Sequence, residues 1–236
     1  MLLDFDLERF LLLAASRPFA GNAPTSKGPW PIEPLQVAVA YDDAFNCYFP
    51  DTLDLLEQSG ATICDFSPLR DECLPAGTDI VYFGCGHPER FAEQLAANQC
   101  LINDLRSHVC EGKRIYAEGG GLAYLCRELE ADDGEMVPMA GILPTLAHRN
   151  HGRSAPRPVE VELLRECWLG PAGSALRGYL NDGWSISRCG PLSCYGGADG
   201  SRMDLVGRHQ VIGSRLHLNF AAQPHLFRKF FTPRPA

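Results

Sequence analysis

Residues 114–125 read Arg-Ile-Tyr-Ala-Glu-Gly-Gly-Gly-Leu-Ala-Tyr-Leu. A short β-run ends at Ala117, glycines follow, and an apolar pattern with helical spacing begins. Strand, sharp turn and helix are the parts of a nucleophile elbow. Its tip residue, normally Ser or Cys, projects into the site because the glycines around it have no Cβ to clash. The helix start beneath it favours a thiolate or an oxyanion. Here the tip is Gly119, so the platform is present and the nucleophile is not. Two other stretches carry reactive side chains: Gly84-Cys85-Gly86-His87, and His217 in the run Val211–Phe220. A cysteine near an imidazole can be activated. Cys85 with His87 as its base is therefore one alternative, set against ordinary structural roles for both. A metal or haem-iron site using Cys85, His87 and His217 is another, but no ligand spacing announces it, and no metal is expected.

The elements that must position these groups are legible from pattern. Gln36–Tyr41 is a compact apolar run and reads as the first core strand. A helix is expected from about Pro50 to Gln58, with Pro in its first turn and Gly60 beyond its end. Strands follow at Ala61–Phe66 and Asp79–Phe83, helices at Pro88–Ala97 and Leu101–Glu111, and a strand at Arg114–Ala117 leading into the turn. That order predicts a doubly wound, flavodoxin-like α/β fold with a three-layer sandwich. Residues 4–15 carry apolar side chains at helical spacing, residues 17–34 read as an extended linker, and residues 35–236 form the main domain. Pro158–Leu164 alternates, residues 187–204 read as irregular, and Pro224–Phe231 is a closing helix. Asp42 and Asp43 stand at the carboxyl end of the first strand, where open α/β sheets place ligands. Tyr48 and Phe49 read first as core packing.

Composition narrows the classes. The chain has 236 residues, 45% of them hydrophobic, enough for a substantial core. A net charge of −8 argues against a nucleic-acid surface, which needs a basic stripe. No apolar run has transmembrane length, and the N-terminus lacks the basic start of a signal peptide. The ten cysteines include no C-x-x-C pair. Cys64, Cys100, Cys110 and Cys126 fall in apolar patterns where thiols behave as small hydrophobes. A reducing cytoplasm is the expected compartment.

Several segments, in the same order, carry a resemblance. Tyr116-Ala117-Glu118-Gly119-Gly120-Gly121-Leu122 resembles the "AECGG" elbow of class I glutamine amidotransferase domains, most closely the cobyrinic acid a,c-diamide synthase family. Residues 41–53 resemble that family's "YDEAFNFYYPDNL", residues 67–72 its "SPLRDE", and Gly84–Glu89 its "GGGYPE". Residues 138–144 resemble "PMVGVLP", residues 177–184 "RGHEFHYS", and the run ending in His217-Leu218-Asn219-Phe220 "ASYLHLHF". The segment "LDFDLERFLLLA" looks like the family's link between an N-terminal ATPase domain and the amidotransferase domain.

The family amidates side-chain carboxylates of a corrin-type tetrapyrrole with ATP, magnesium and glutamine. The resemblance implies that Gly119 takes the place of the catalytic Cys. It implies that His217 is the general base, and that Gly84, Cys85, Gly86 and Gly120 belong to the oxyanion turn and cleft. Asp42, Asp43, Tyr48, His87, Arg177 and Asn219 are implied as cleft residues. The departures are Cys85 for a glycine, His87 for a tyrosine, Asn219 for a second histidine, and Tyr179, Leu180 and Asp182 for a His, a Glu and a His. With no sulfur at the tip, no glutaminase activity is expected. No G-x-x-x-x-G-K-[ST] occurs, so ATP and magnesium would come only through a separate P-loop ATPase subunit, with free ammonia replacing glutamine. The alternative is a non-catalytic descendant that binds a tetrapyrrole or a partner protein. A homodimer is compatible with either.

Overall fold

The structure is a computed structural model that describes residues 35–151, 155–201 and 203–223. The helix expected over residues 4–15, the linker over 17–34 and the closing helix at Pro224–Phe231 lie outside the described residues. In chain order the strands are β1 Gln36–Ala40, β2 Phe45–Cys47, β3 Thr62–Phe66, β4 Ile80–Phe83, β5 Cys85–Gly86, β6 Arg114–Glu118, β7 Glu128–Glu130 and β8 Met136–Pro138. They continue as β9 Thr145–Arg149, β10 Arg157–Glu162, β11 Ala175–Leu180, β12 Trp184–Arg188, β13 Ser193–Gly196, β14 Leu205–Arg208, β15 Val211–Ser214 and β16 Leu216–Leu218. The helices are α1 Pro50–Gln58, α2 Ala92–Ala97, α3 Gln99–Cys110 and α4 Gly120–Leu125.

The main sheet runs β13-β14-β15-β6-β4-β1-β3. From β3 to β15 every pair is parallel, and β14 and β13 extend that edge antiparallel. Numbered among themselves, the five parallel strands stand in the order 2-1-3-4-5, the doubly wound flavodoxin-like arrangement. Because side chains alternate across a strand, each central strand feeds two cores. Ala38, Ala40, Val81, Phe83, Ile115 and Ala117 pack with Leu95, Leu101, Leu105 and Leu122 of the helices on one face. Val37, Val39, Ile80, Tyr82 and Tyr116 pack on the other face with Leu56 of α1 and with Leu176, Leu180, Leu216 and Leu218 from the sheet β10-β11-β16. The result is a three-layer sandwich. Burial on both faces is why the central strands read as nearly continuous apolar runs.

Local chemistry sets the boundaries. Pro50 opens α1, and Gly60 follows it at positive φ. Asn98 accepts from the Leu101 amide and starts α3. The helix expected over Pro88–Ala97 is a 3₁₀ turn, Pro88–Phe91, followed by α2. The run Val211–Phe220 is two strands in different sheets. The Ser214 hydroxyl accepts from the Leu216 amide and donates to its carbonyl, which diverts the backbone from the main ladder. Arg215 then anchors the corner: Nη1 pairs with Asp204 at 2.5 Å and Nε donates to the Trp184 carbonyl. The stretch read as irregular holds the end of β12 and all of β13.

All ten cysteines are free; Cys126 is buried, but Cys100 and Cys110 are exposed, because both fall on the outer side of α3 rather than in its apolar stripe. Among the described residues, no helix is long and apolar enough to cross a membrane.

Candidate active site

The segments after β4 and β6 open on one cavity of about 290 Å³, which residues of β2, β16, the end of β9 and the start of β12 also line. The polypeptide bends sharply where β6 meets α4. Gly119 has φ +49° and ψ −109°, a conformation that L side chains rarely adopt. Its N–H donates to the Ser214 carbonyl at 2.8 Å, and the Gly121 N–H donates to the Gly84 carbonyl at 3.2 Å. The elbow is thereby tied to the strand on one side and to the β4–β5 turn on the other. Contact is close: a Cβ on Gly120 would lie 2.9 Å from the Gly86 carbonyl oxygen. Strands β2 and β5 pair above this turn and place Cys47 opposite Cys85.

A side chain at residue 119 would find its space taken. A Cβ built there lies 2.6 Å from Cys85 Sγ and 3.5 Å from His217 Nε2. The Cys85 sulfur and His217 Nε2 thus flank the same point at the elbow tip. On its other side, His217 Nδ1 lies 3.6 Å from Glu118 Oε2. Glu118 is 1% exposed and firmly held, because Oε1 accepts from Tyr116 Oη at 2.8 Å and from the Leu218 N–H at 3.0 Å. Burial by itself lowers the His217 pKa. The hydrogen bonds and charges of Cys85 and Glu118 outweigh it and push the pKa up to about 11, so the ring is an imidazolium at neutral pH. The site is a thiol, an imidazolium and a buried carboxylate in line, opening on a cavity.

The residues picked out from sequence separate into groups. Cys85, Gly86, His87, Gly119 and His217 line the cavity together. Gly84 and Gly120 are outside that lining but adjoin it in the chain, next to Cys85 and Gly119. His87 turns to Glu89, with Nδ1 2.9 Å from Oε1. The imidazole set beside the Cys85 sulfur at the elbow is thus His217, while His87 is engaged by Glu89. Among the described residues, no cluster of three or more His, Cys, Asp or Glu could hold a metal ion.

Tyr48 braces the cavity from below; its hydroxyl accepts from the Gly84 N–H at 2.9 Å and donates to the Ala40 carbonyl. Asp42 is buried and structural. Its carboxylate accepts from the amides of Ala44, Phe45 and Leu69 and from the Ser67 hydroxyl. Asp43 is exposed and lies outside the cavity lining. Arg177 and Asn219 line a separate groove with Tyr179, where Arg177 Nε donates to Glu160 at 2.7 Å and Asn219 caps the Phe220–Ala222 turn. Glu118 and Cys47 were not singled out from sequence. Glu118 had a signal, a carboxylate ending a fully buried strand; Cys47 had none, because its place depends on the β2–β5 pairing.

Known proteins resemble this chain as follows. A family model described as the CobB/CobQ-like glutamine amidotransferase domain matches residues 36–225. A cobyrinate a,c-diamide synthase of Syntrophotalea carbinolica is 31% identical over 242 residues, covering 96% of this chain and 51% of the relative. One from Salmonella typhimurium is 35% identical over 216 residues, covering 85% and 46%. The chain thus spans about half the length of these curated relatives. Among solved structures, a glutamine amidotransferase superposes with TM-score 0.60 at 18% identity, over 82% of this chain and 97% of that one. The PurLQS structure from Thermotoga maritima gives TM-score 0.61 at 13% identity, over 84% and 97%. These distant likenesses establish the fold, that of class I glutamine amidotransferases.

Proposed function

Because the chain belongs to the CobB/CobQ-like glutamine amidotransferase family, we propose that it is the ammonia-handling half of a tetrapyrrole side-chain amidation enzyme. The reaction is of the cobyrinate a,c-diamide synthase kind, and the ATP-dependent half is carried on a separate P-loop chain. ATP and magnesium bind in that partner, where the carboxylate is activated. The observation that carries the reading is the intact elbow frame: a sharp turn at Gly119, with His217 and the buried Glu118 beside it at the carboxyl end of the sheet. Residue 119 has no sulfur, so a thioester on the elbow side chain is closed as a route. Nitrogen then comes from ammonia in solution or from a carboxamide opened by another thiol of the site.

The test is reconstitution. The purified chain is mixed with the P-loop ATPase half of a curated relative, ATP, magnesium, cobyrinic acid and ammonium. Co-elution of the two chains and faster ATP-dependent amidation than with the ATPase half alone are expected. Failure to associate, or no gain in rate, overturns the reading. A second reading is a non-catalytic tetrapyrrole binder. It is favoured by the 177–184 stretch, where Tyr179 is exposed and its ring lies tilted beside Phe49, centroids 6.1 Å apart, instead of offering the polar groups the resemblance implies. A corrinoid absorbance shift without any gain in amidation would select it.

A further inference from the structure

Deepening that reading, we infer that Cys85 is the nucleophile of this site, completing a Cys85–His217–Glu118 triad whose substrate is a small primary carboxamide such as glutamine. The sulfur reaches the elbow from the neighbouring β4–β5 turn instead of from residue 119.

Four observations converge. The Cys85 sulfur lies 2.6 Å from where a residue-119 Cβ would be, so it fills the space at the elbow tip that a side chain there would fill. His217 Nε2 lies 3.5 Å from that same point, and the far nitrogen of that ring faces Glu118. Glu118 is held by two further hydrogen bonds that do not involve residue 119. Finally, Cys85, Gly119 and His217 line one cavity, so the thiol is reachable by a small molecule. Cys47 lines the same cavity, but burial and the neighbouring Cys85 both push its thiol pKa up and keep it protonated. Among the elbow amides, Gly119 and Gly121 already have carbonyl acceptors, and the Gly120 N–H between them has no backbone acceptor among the described residues. It is the donor available to a developing oxyanion.

The chemistry balances with water alone. The Cys85 thiolate attacks the carboxamide carbon. The His217 imidazolium gives its proton to the nitrogen as the C–N bond breaks, and ammonia leaves behind a thioester on Cys85. Neutral His217 then takes a proton from water, which attacks the thioester. The C–S bond breaks, the carboxylic acid departs, and the thiolate–imidazolium pair is restored.

The test uses the full chain alone, with no ATPase and no tetrapyrrole, so it stands or falls separately from the reconstitution. Ammonia release from glutamine is measured for the wild type, Cys85→Ser, His217→Ala and, as a control at an exposed thiol, Cys100→Ser. In parallel, the glutamine analogue 6-diazo-5-oxo-norleucine is added and the modified peptide is mapped by mass spectrometry. One adduct, on Cys85 and suppressed by glutamine, is expected. Ammonia release should fall to background in Cys85→Ser, drop by about 10²–10⁴-fold in His217→Ala, and stay unchanged in Cys100→Ser. Circular dichroism establishes that the variants are folded. An adduct on another residue, no adduct at all, an adduct without ammonia release, or undiminished release from folded Cys85→Ser overturns the assignment.

Discussion

If the Cys85 sulfur occupies the space of a residue-119 side chain, substitutions at the two positions must couple. Gly119→Ala places a Cβ 2.6 Å from Cys85 Sγ, about 0.8 Å inside ordinary contact, at a backbone φ of +49°. The conformation costs about 1–3 kcal/mol for a non-glycine residue, and the overpacking about 1–3 kcal/mol more. Cys85 can rotate away, but only by giving up His217. In a chain of this size each kcal/mol shifts Tm by roughly 2–4 °C. Cys85→Ala removes the sulfur and leaves its Cβ at 3.5 Å, an ordinary contact. The double variant therefore loses the overpacking and keeps only the backbone strain. A cycle of wild type, Gly119→Ala, Cys85→Ala and the double variant, followed by urea unfolding, should give a favourable coupling of about 1–3 kcal/mol. Additivity to within about 0.5 kcal/mol would refute the packing argument and, with it, the placement of the sulfur.

Two further outcomes follow from the same geometry. The His217 pKa, about 11 in the folded chain against an ordinary 6.5, makes its contribution to stability fully present below pH 6.5 and lost as pH rises through 11. ¹⁵N-imidazole NMR should show His217 charged at pH 8 in the wild type, with its pKa shifted downward in Cys85→Ala and in Glu118→Gln; a ring already neutral at pH 8 contradicts this. Asp42→Ala should destabilise the chain by about 2–4 kcal/mol, because it removes the acceptor for three backbone amides and the Ser67 hydroxyl. Urea midpoints check it, and a loss below about 0.5 kcal/mol would return Asp42 to the list of ligand-binding candidates.

The sheet was readable because its central strands are buried on both faces and therefore written as unbroken apolar runs, as at Ile80–Phe83. The elbow was readable because Gly119 has a positive φ, and Gly120 and Gly121 sit where carbonyls approach too closely for a Cβ. What pattern missed depends on contacts distant in sequence. The split at Arg215 follows from partners at Asp204 and Trp184, and no periodicity reports it. Strands β2 and β5 are too short for a period to register, yet their pairing brings Cys47 and Cys85 to the cavity. Sequence proximity offered His87 only as one alternative base for Cys85, whereas the fold sets His217, more than a hundred residues away, beside the sulfur.

The parts of the site differ in what they depend on. Glu118 is fixed by Tyr116 and by the Leu218 amide, and His217 is fixed by β16 and Glu118. None of these contacts uses a side chain at residue 119. The imidazole and the carboxylate behind it therefore belong to the frame, and they meet any sulfur brought within reach of the ring. The resemblance puts a sulfur at the elbow tip; in this chain the sulfur beside the tip is that of Cys85 in β5. The two sources exclude each other, because the elbow Cβ and the Cys85 sulfur claim the same few ångströms. The glycine at 119 and the cysteine at 85 are therefore sterically linked. Either substitution alone would crowd the site or empty it, and only the pair keeps one sulfur beside His217.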